Sequence, residues 1–184
     1  MHVAVRHFNV AEYYQMARAG VLTEDERVEL VRGEIVAMSP IGSRHAACVS
    51  RFDMRLQRWA RERFVVRIQN PIRLDDESEP EPDVSVLKLR HDFYADAHPM
   101  PEDVLLVIEV ADTSMGYDRD EKAPLYAEAG IPEMWLVNLS EAVIEVYSNP
   151  VDGAYSSVRQ VARGGVLTSA SLPGLSIRTK NVLG

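Results

Sequence analysis

Residues 104–130, VLLVIEVADTSMGYDRDEKAPLYAEAG, open as an apolar run of strand length and close in a helical pattern stopped by Gly130. The run reads as a buried strand, yet it carries a carboxylate, Glu109, near its end. A lone Glu among Val, Leu and Ile is costly to bury as a charge unless a cation or several donors meet it. The strand–helix reading makes this stretch the centre of a mixed α/β chain, and Glu109 the residue whose partners must be found.

Towards the N-terminus, Asn9 is a good N-cap for a helix through VAEYYQMARA to Gly20. RVELVRGEIVAMS alternates apolar and polar residues on both sides of Arg32-Gly33 and predicts a β-hairpin, with Glu34 just after the turn. From about residue 43 to 64, Val49, Phe52, Leu56 and Trp59 share one helical face, and Cys48 reads as a small buried hydrophobe on the same helix. Strands are expected at FVVRIQ, DVSVLK and DVLLVIEV, with the acidic loop DDESEPEP between the first two expected to be mostly solvated surface. A helix over 118–129, strands at EMWLVNL, AVIEVYS and AYSSVRQVA, and the segment GGVLTSASLPGLSI complete the chain. Trp135 reads as core or interface. The pattern is an α/β chain, bordering on α+β, in one domain over residues 1–184, with a central mixed sheet and flanking helices.

The composition is ordinary for a globular chain, and 20 Lys and Arg against 28 Asp and Glu leave a net charge of −8. That balance argues against a protein that coats itself in nucleic acid by bulk charge, while leaving a local basic surface possible. No apolar run approaches a membrane span and the opening residues hold no long apolar region, so a cytoplasmic location without membrane association is expected. One cysteine excludes an internal disulfide and a thiolate metal cage. His91 and His98 lack the partners of a zinc site.

Asp83 opens one expected strand after Pro82, and Glu109 closes another. If the strands are neighbours, both carboxylates reach one sheet end, and two oxygen donors suit Mg²⁺ or Mn²⁺. Asp83 alone is equally a strand-initiating residue satisfied by a backbone N–H. Asp118, Lys122 and Tyr126 follow i, i+4 and i+8 and share one helical face, on which Asp118 and Lys122 by themselves read as an exposed pair. Residues 44–67 hold seven arginines against two acids, and Arg44, Arg51, Arg55 and Arg58 lie close to one helical stripe. The stripe could contact phosphates or form an ordinary solvated face.

The succession ELVRGEIVAMSP, GSRHAA, EPDVSVL, VIEVADTS, DRDEKAPLYAEAGIPEMWLVN and LPGLSI resembles the Uma-two family of the PD-(D/E)XK nuclease superfamily, over roughly residues 8–178. The resemblance implies a restriction-endonuclease-like core and a Mg²⁺-dependent endonuclease, with Mn²⁺ as a substitute, hydrolysing a phosphodiester of nucleic acid, DNA first among the candidates. It implies Asp83 and Glu109 as metal ligands, the Val110 carbonyl as a third, Glu34 as the upstream acid that completes the metal site or holds its waters, and His45 as a histidine at the metal; by itself His45 reads equally as a first-turn histidine bonding a nearby carboxylate. One departure stands out: Ala111 occupies the position two residues after Glu109 where the superfamily pattern has lysine. Lys122 matches the place to which that lysine has migrated in the Uma-two type. A homodimer is the expected assembly. The competing expectation is a catalytically inactive relative, serving as a homodimeric metal- or nucleic-acid-binding module.

Overall fold

The structure, a computed structural model, describes residues 5–23 and 25–184; the first four residues of the opening segment lie outside it. The first helix, α1 (Val10–Arg18), starts where expected. The Asn9 side chain accepts from the Glu12 N–H at 2.9 Å, and the Glu12 carboxylate accepts from the Asn9 N–H at 3.1 Å. The hairpin β1 (Val28–Val31) and β2 (Glu34–Ala37) turns through Arg32 and Gly33 at φ 50° and 77°. Gly33 is required twice over, since a Cβ there would also fall 2.4 Å from the Cβ of His7.

Helix α2 (Ser43–Ala60) ends earlier than the sequence suggests, because Arg61 and Glu62 turn left-handed and release the chain into β3 (Phe64–Ile68). Then follow β4 (Val84–Lys88), β5 (Val104–Ala111), β6 (Glu133–Asn138), β7 (Val143–Val151) and β8 (Ala154–Ala162). These strands form one six-stranded sheet in the order β3-β4-β5-β6-β7-β8. Every pairing is antiparallel except β5 with β6. The parallel pair needs a crossover, and the stretch between its strands supplies it. The crossover comprises α3 (Met115–Tyr117), a π-helical turn over Asp118–Lys122, and α4 (Ala123–Glu128). Where the sequence predicts one uninterrupted helix, Pro124 has no N–H to give its own turn, and the Ala123 N–H reaches five residues back to Asp118. A short antiparallel pair, β9 (Val166–Thr168) and β10 (Ser176–Arg178), precedes α5 (Lys180–Leu183).

Strand alternation divides the core in two. Leu106, Ile108, Trp135 and Val137 face α2 with Phe52 and Leu56; Val107, Ala111, Met134 and Leu136 face the crossover with Tyr126. Burial on both faces explains why β5 and β6 read as continuous apolar runs. Trp135 is core, as expected, with its indole N–H on Glu133 at 2.6 Å. Cys48 is buried in α2. The mixed sheet flanked by helices is the α/β architecture anticipated from the sequence.

The acidic loop departs from expectation. Its second half is interior: the Glu79 N–H donates to the Leu30 carbonyl at 2.8 Å, and Ser78, Glu79 and Pro82 are buried beneath the hairpin. The hairpin needs partners for its own backbone edge, and the loop provides them.

Candidate active site

Asp83 and Glu109 meet at one end of the sheet because β4 starts where β5 finishes: Val84 is in register with Ile108. The Asp83 N–H donates to Glu109 Oε2 at 3.4 Å, and the Val110 N–H donates to Asp83 Oδ2 at 2.9 Å. In a strand the N–H and C=O of one residue point to the same side, so the Val110 carbonyl also faces Asp83. Asp83, Glu109 and Val110 are thus brought together at this end of the sheet. They lie at the floor of a cleft of about 440 Å³, between the open end of the hairpin, the start of α2 and the crossover.

Each carboxylate is held by named donors. Asp83 accepts from the Gln69 amide at 3.0 Å and from His45 Nε2 at 2.9 Å as well as from Val110. Burial alone would push its pKa up, but these donors outweigh it and hold the carboxyl below its usual value. His45 gains in turn, its pKa raised chiefly by the hydrogen bond to Asp83. Gln69 reaches Asp83 from a left-handed backbone, φ 49°, immediately after β3.

Glu109 accepts from Tyr126 Oη at 2.7 Å and Lys122 Nζ at 3.2 Å, both on Oε1. Lys122 also meets Glu29 Oε1 at 3.1 Å, while the other oxygen of Glu29 accepts the Glu81 N–H at 3.0 Å. Lys122 is thus not an exposed partner of Asp118; it is buried between two carboxylates. Burial lowers its pKa, but those carboxylates more than compensate and raise it. Asp118 is buried separately, hydrogen-bonded by Ser114 at 2.5 Å, with its pKa raised mainly by burial.

Among the described residues, the buried part of the site holds four carboxylates, Glu29, Asp83, Glu109 and Asp118, and one fixed cation, Lys122. Negative charge is in excess, and the pKa of Glu109 is pushed up to about 8, first by burial and then by Asp83, Asp118 and Glu29 against the opposing pull of Lys122. No group of three or more His, Cys, Asp or Glu side chains is gathered closely enough, among the described residues, to hold an ion unaided. A hard divalent ion that retains waters needs less: one or two carboxylates and a carbonyl. With about four acceptor positions per carboxylate, Asp83 and Glu109 each keep one beyond their protein donors. The donor set and the excess charge fit such an ion.

Two sequence-predicted residues are corrected. Glu34 is exposed and outside the cleft. It shares a hairpin face with Glu29 but pairs with Val31 at the turn, two positions along the ladder from the Glu29–Val36 pair, or about 7 Å. Glu29 is the acid that reaches Lys122. His45 directs Nε2 at Asp83, so that nitrogen is a support for the carboxylate instead of a metal ligand; its Nδ1 is buried without a partner among the described residues.

The arginine stripe is partly engaged inside the protein. Arg51 and Arg55 donate to the Val182 and Asn181 carbonyls of α5 at 3.5 and 3.2 Å, acceptors that a helix end leaves unpaired. Arg44 donates to the Leu139 carbonyl at 2.8 Å, and Arg58 is exposed. Neither His91 nor His98 lines the cleft, and His98 meets Tyr14 at 3.0 Å. Sequence reasoning missed Glu29, Glu81 and Gln69. Glu29 stands at a polar position of an alternating strand, where a solvent-facing acid is the ordinary reading, and the left-handed turn that aims Gln69 has no local signal either.

The fold has a solved counterpart. A crystal structure of a putative nuclease belonging to DUF820, from Anabaena variabilis ATCC 29413, superposes with a TM-score of 0.75 over 96% of this chain and 97% of that one, at 13% identity. No curated protein matches the chain. No described helix is long and apolar enough to cross a membrane. The sequence profile described as "Uma2: Putative restriction endonuclease" matches residues 10–180, nearly the whole length, and the chain therefore belongs to that family.

Proposed function

We propose that the chain is a metal-dependent endonuclease that hydrolyses a phosphodiester of DNA at the Asp83–Glu109 floor. Asp83, Glu109 and the Val110 carbonyl would hold Mg²⁺, or Mn²⁺ in its place. The ion would polarise the phosphate and lower the pKa of a bound water. The remaining work falls to side chains. Gln69, His45 and the Val110 N–H keep Asp83 ionised and oriented, and Tyr126 fixes Glu109. Lys122 uses two of its three N–H donors on Glu29 and Glu109, leaving one for the attacking water or a phosphate oxygen. The observation that carries the reading is Lys122 in contact with Glu109: it supplies, from the crossover, the cation that Ala111 does not.

Cleavage of supercoiled, linear, single-stranded and branched DNA and of RNA, with Mg²⁺ or Mn²⁺, tests the proposal. DNA cleavage that requires metal and disappears in Glu109→Ala is the expected result. Metal binding that requires Glu109, without cleavage of any substrate, would identify a binding module instead. A duplex has two strands to cut, and the chain is expected to act as a homodimer.

A further inference from the structure

Two clefts of the molecule carry opposite charge. The candidate active site sets Arg27 and Lys122 against six carboxylates. At the other end of α2, a second cleft of about 550 Å³ is lined by Arg55, Arg58, Arg178, Trp59, Asn181 and Ile177 among others, with no carboxylate among the described lining residues. It is a built feature. Arg55 is held by its bond to the Asn181 carbonyl. Trp59 is stacked on Phe64 with ring centroids 5.1 Å apart and planes 6° from parallel, and Arg63 lies over both rings. Arg58 and Arg178 are exposed, one on α2 and one on β10, so two separate elements present guanidinium groups to the same space.

A polyanion approaching this chain is repelled by the acidic cleft and drawn to the basic one. We propose that the second cleft anchors the phosphate backbone of the nucleic-acid substrate at a distance from the reacting phosphate. The proposal rests on the nucleic-acid reading above and adds a second, non-catalytic contact to it. Thirteen residues of α2 separate His45 at the active site from Arg58, about 20 Å along the helix axis. At about 3.4 Å per nucleotide along one strand, the anchor engages phosphates roughly six nucleotides from the scissile bond. Substrates too short to span that distance lose the contact.

The protein carries its own reporter. Of its two tryptophans, Trp135 is completely buried and Trp59 lines the second cleft. Metal-free Glu109→Ala protein, which separates binding from cleavage, is titrated with duplex DNA while tryptophan emission is followed. The expected result is a change in Trp59 emission with a 20-base-pair duplex and a much weaker one with a four-base-pair duplex. Arg58→Ala with Arg178→Ala should weaken binding by about tenfold and lower the salt slope by about 1.8, two contacts at about 0.9 each. Both arginines are exposed, so the double variant should fold, and its circular dichroism checks this. Unaltered emission with the long duplex, or unchanged affinity and salt slope in the double variant, would overturn the anchor even if the wild-type protein cleaves DNA. An equal response to inorganic phosphate at the same concentration would also overturn it, indicating a small-anion site.

Discussion

Lys122 and Glu29 show what a single residue must satisfy here. Each is buried, and each is tolerable only because the other is present: the ammonium offsets two carboxylates, and Glu29 keeps the lysine directed at Glu109. Replacing Glu29 by Gln should therefore reduce cleavage by about 10- to 100-fold, the usual cost of losing a supporting partner at a metal site. Glu34→Gln, at the exposed turn, should leave cleavage within about twofold. Comparing the two variants decides which hairpin acid belongs to the site. Glu109 carries a second prediction. A carboxyl whose pKa rises from 4.5 in the unfolded chain to about 8 in the fold contributes stability that is fully present below pH 4.5 and is lost as the pH climbs through about 8. Denaturant unfolding of metal-free protein should thus show stability falling by a few kcal/mol across that window. Glu109→Gln should flatten the profile, and an unchanged slope would contradict the assignment.

At the scale of elements, the legible parts were those with strong local signals. The Asn9 cap, the Arg32-Gly33 turn and the apolar runs of β5 and β6 each impose one backbone solution. The unread parts depended on neighbours distant in sequence. Nothing local in DDESEPEP says that the hairpin's bare edge will claim its backbone, and the left-handed Gln69 owes its conformation to a single turn out of β3. The missing lysine has an element-level explanation. Residues 109 and 111 point to the same face of β5, but the crossover packs onto that face; Ala111 is buried in the same core cluster as Ala123 and Tyr126, and the cation comes from the crossover instead. Glu133 shows the same dependence on remote partners: it accepts from Trp135, Ser169, Ala170 and Ser171, pinning the segment after β9 to the sheet. Glu133→Ala leaves several donors without their acceptor and should cost about 3 kcal/mol in denaturant unfolding. Glu133 lies outside the active-site cleft, so the carboxylates there should be unaffected and cleavage at low temperature should persist.

For the whole molecule, the sheet is the device that connects sequence order to chemistry. The parallel β5–β6 pair forces a helical crossover over the end of β5, the antiparallel β4 brings Asp83 to the same end, and the hairpin, held by the loop before β4, adds Glu29. Residues 29, 83, 109 and 122, scattered over half the chain, become one charge network. That network was legible in sequence as a pair of strand-end acids and a helical lysine; its fourth member required the hairpin's docking. In the proposed reaction Lys122 acts in cleavage beyond balancing charge. The most direct test of that role is metal-dependent DNA cleavage by Lys122→Ala, read together with Mn²⁺ affinity and thermal unfolding. The expected variant is a folded, less stable protein that still binds Mn²⁺ while cleavage falls by at least about 100-fold. Cleavage at the wild-type rate by the folded variant would contradict it.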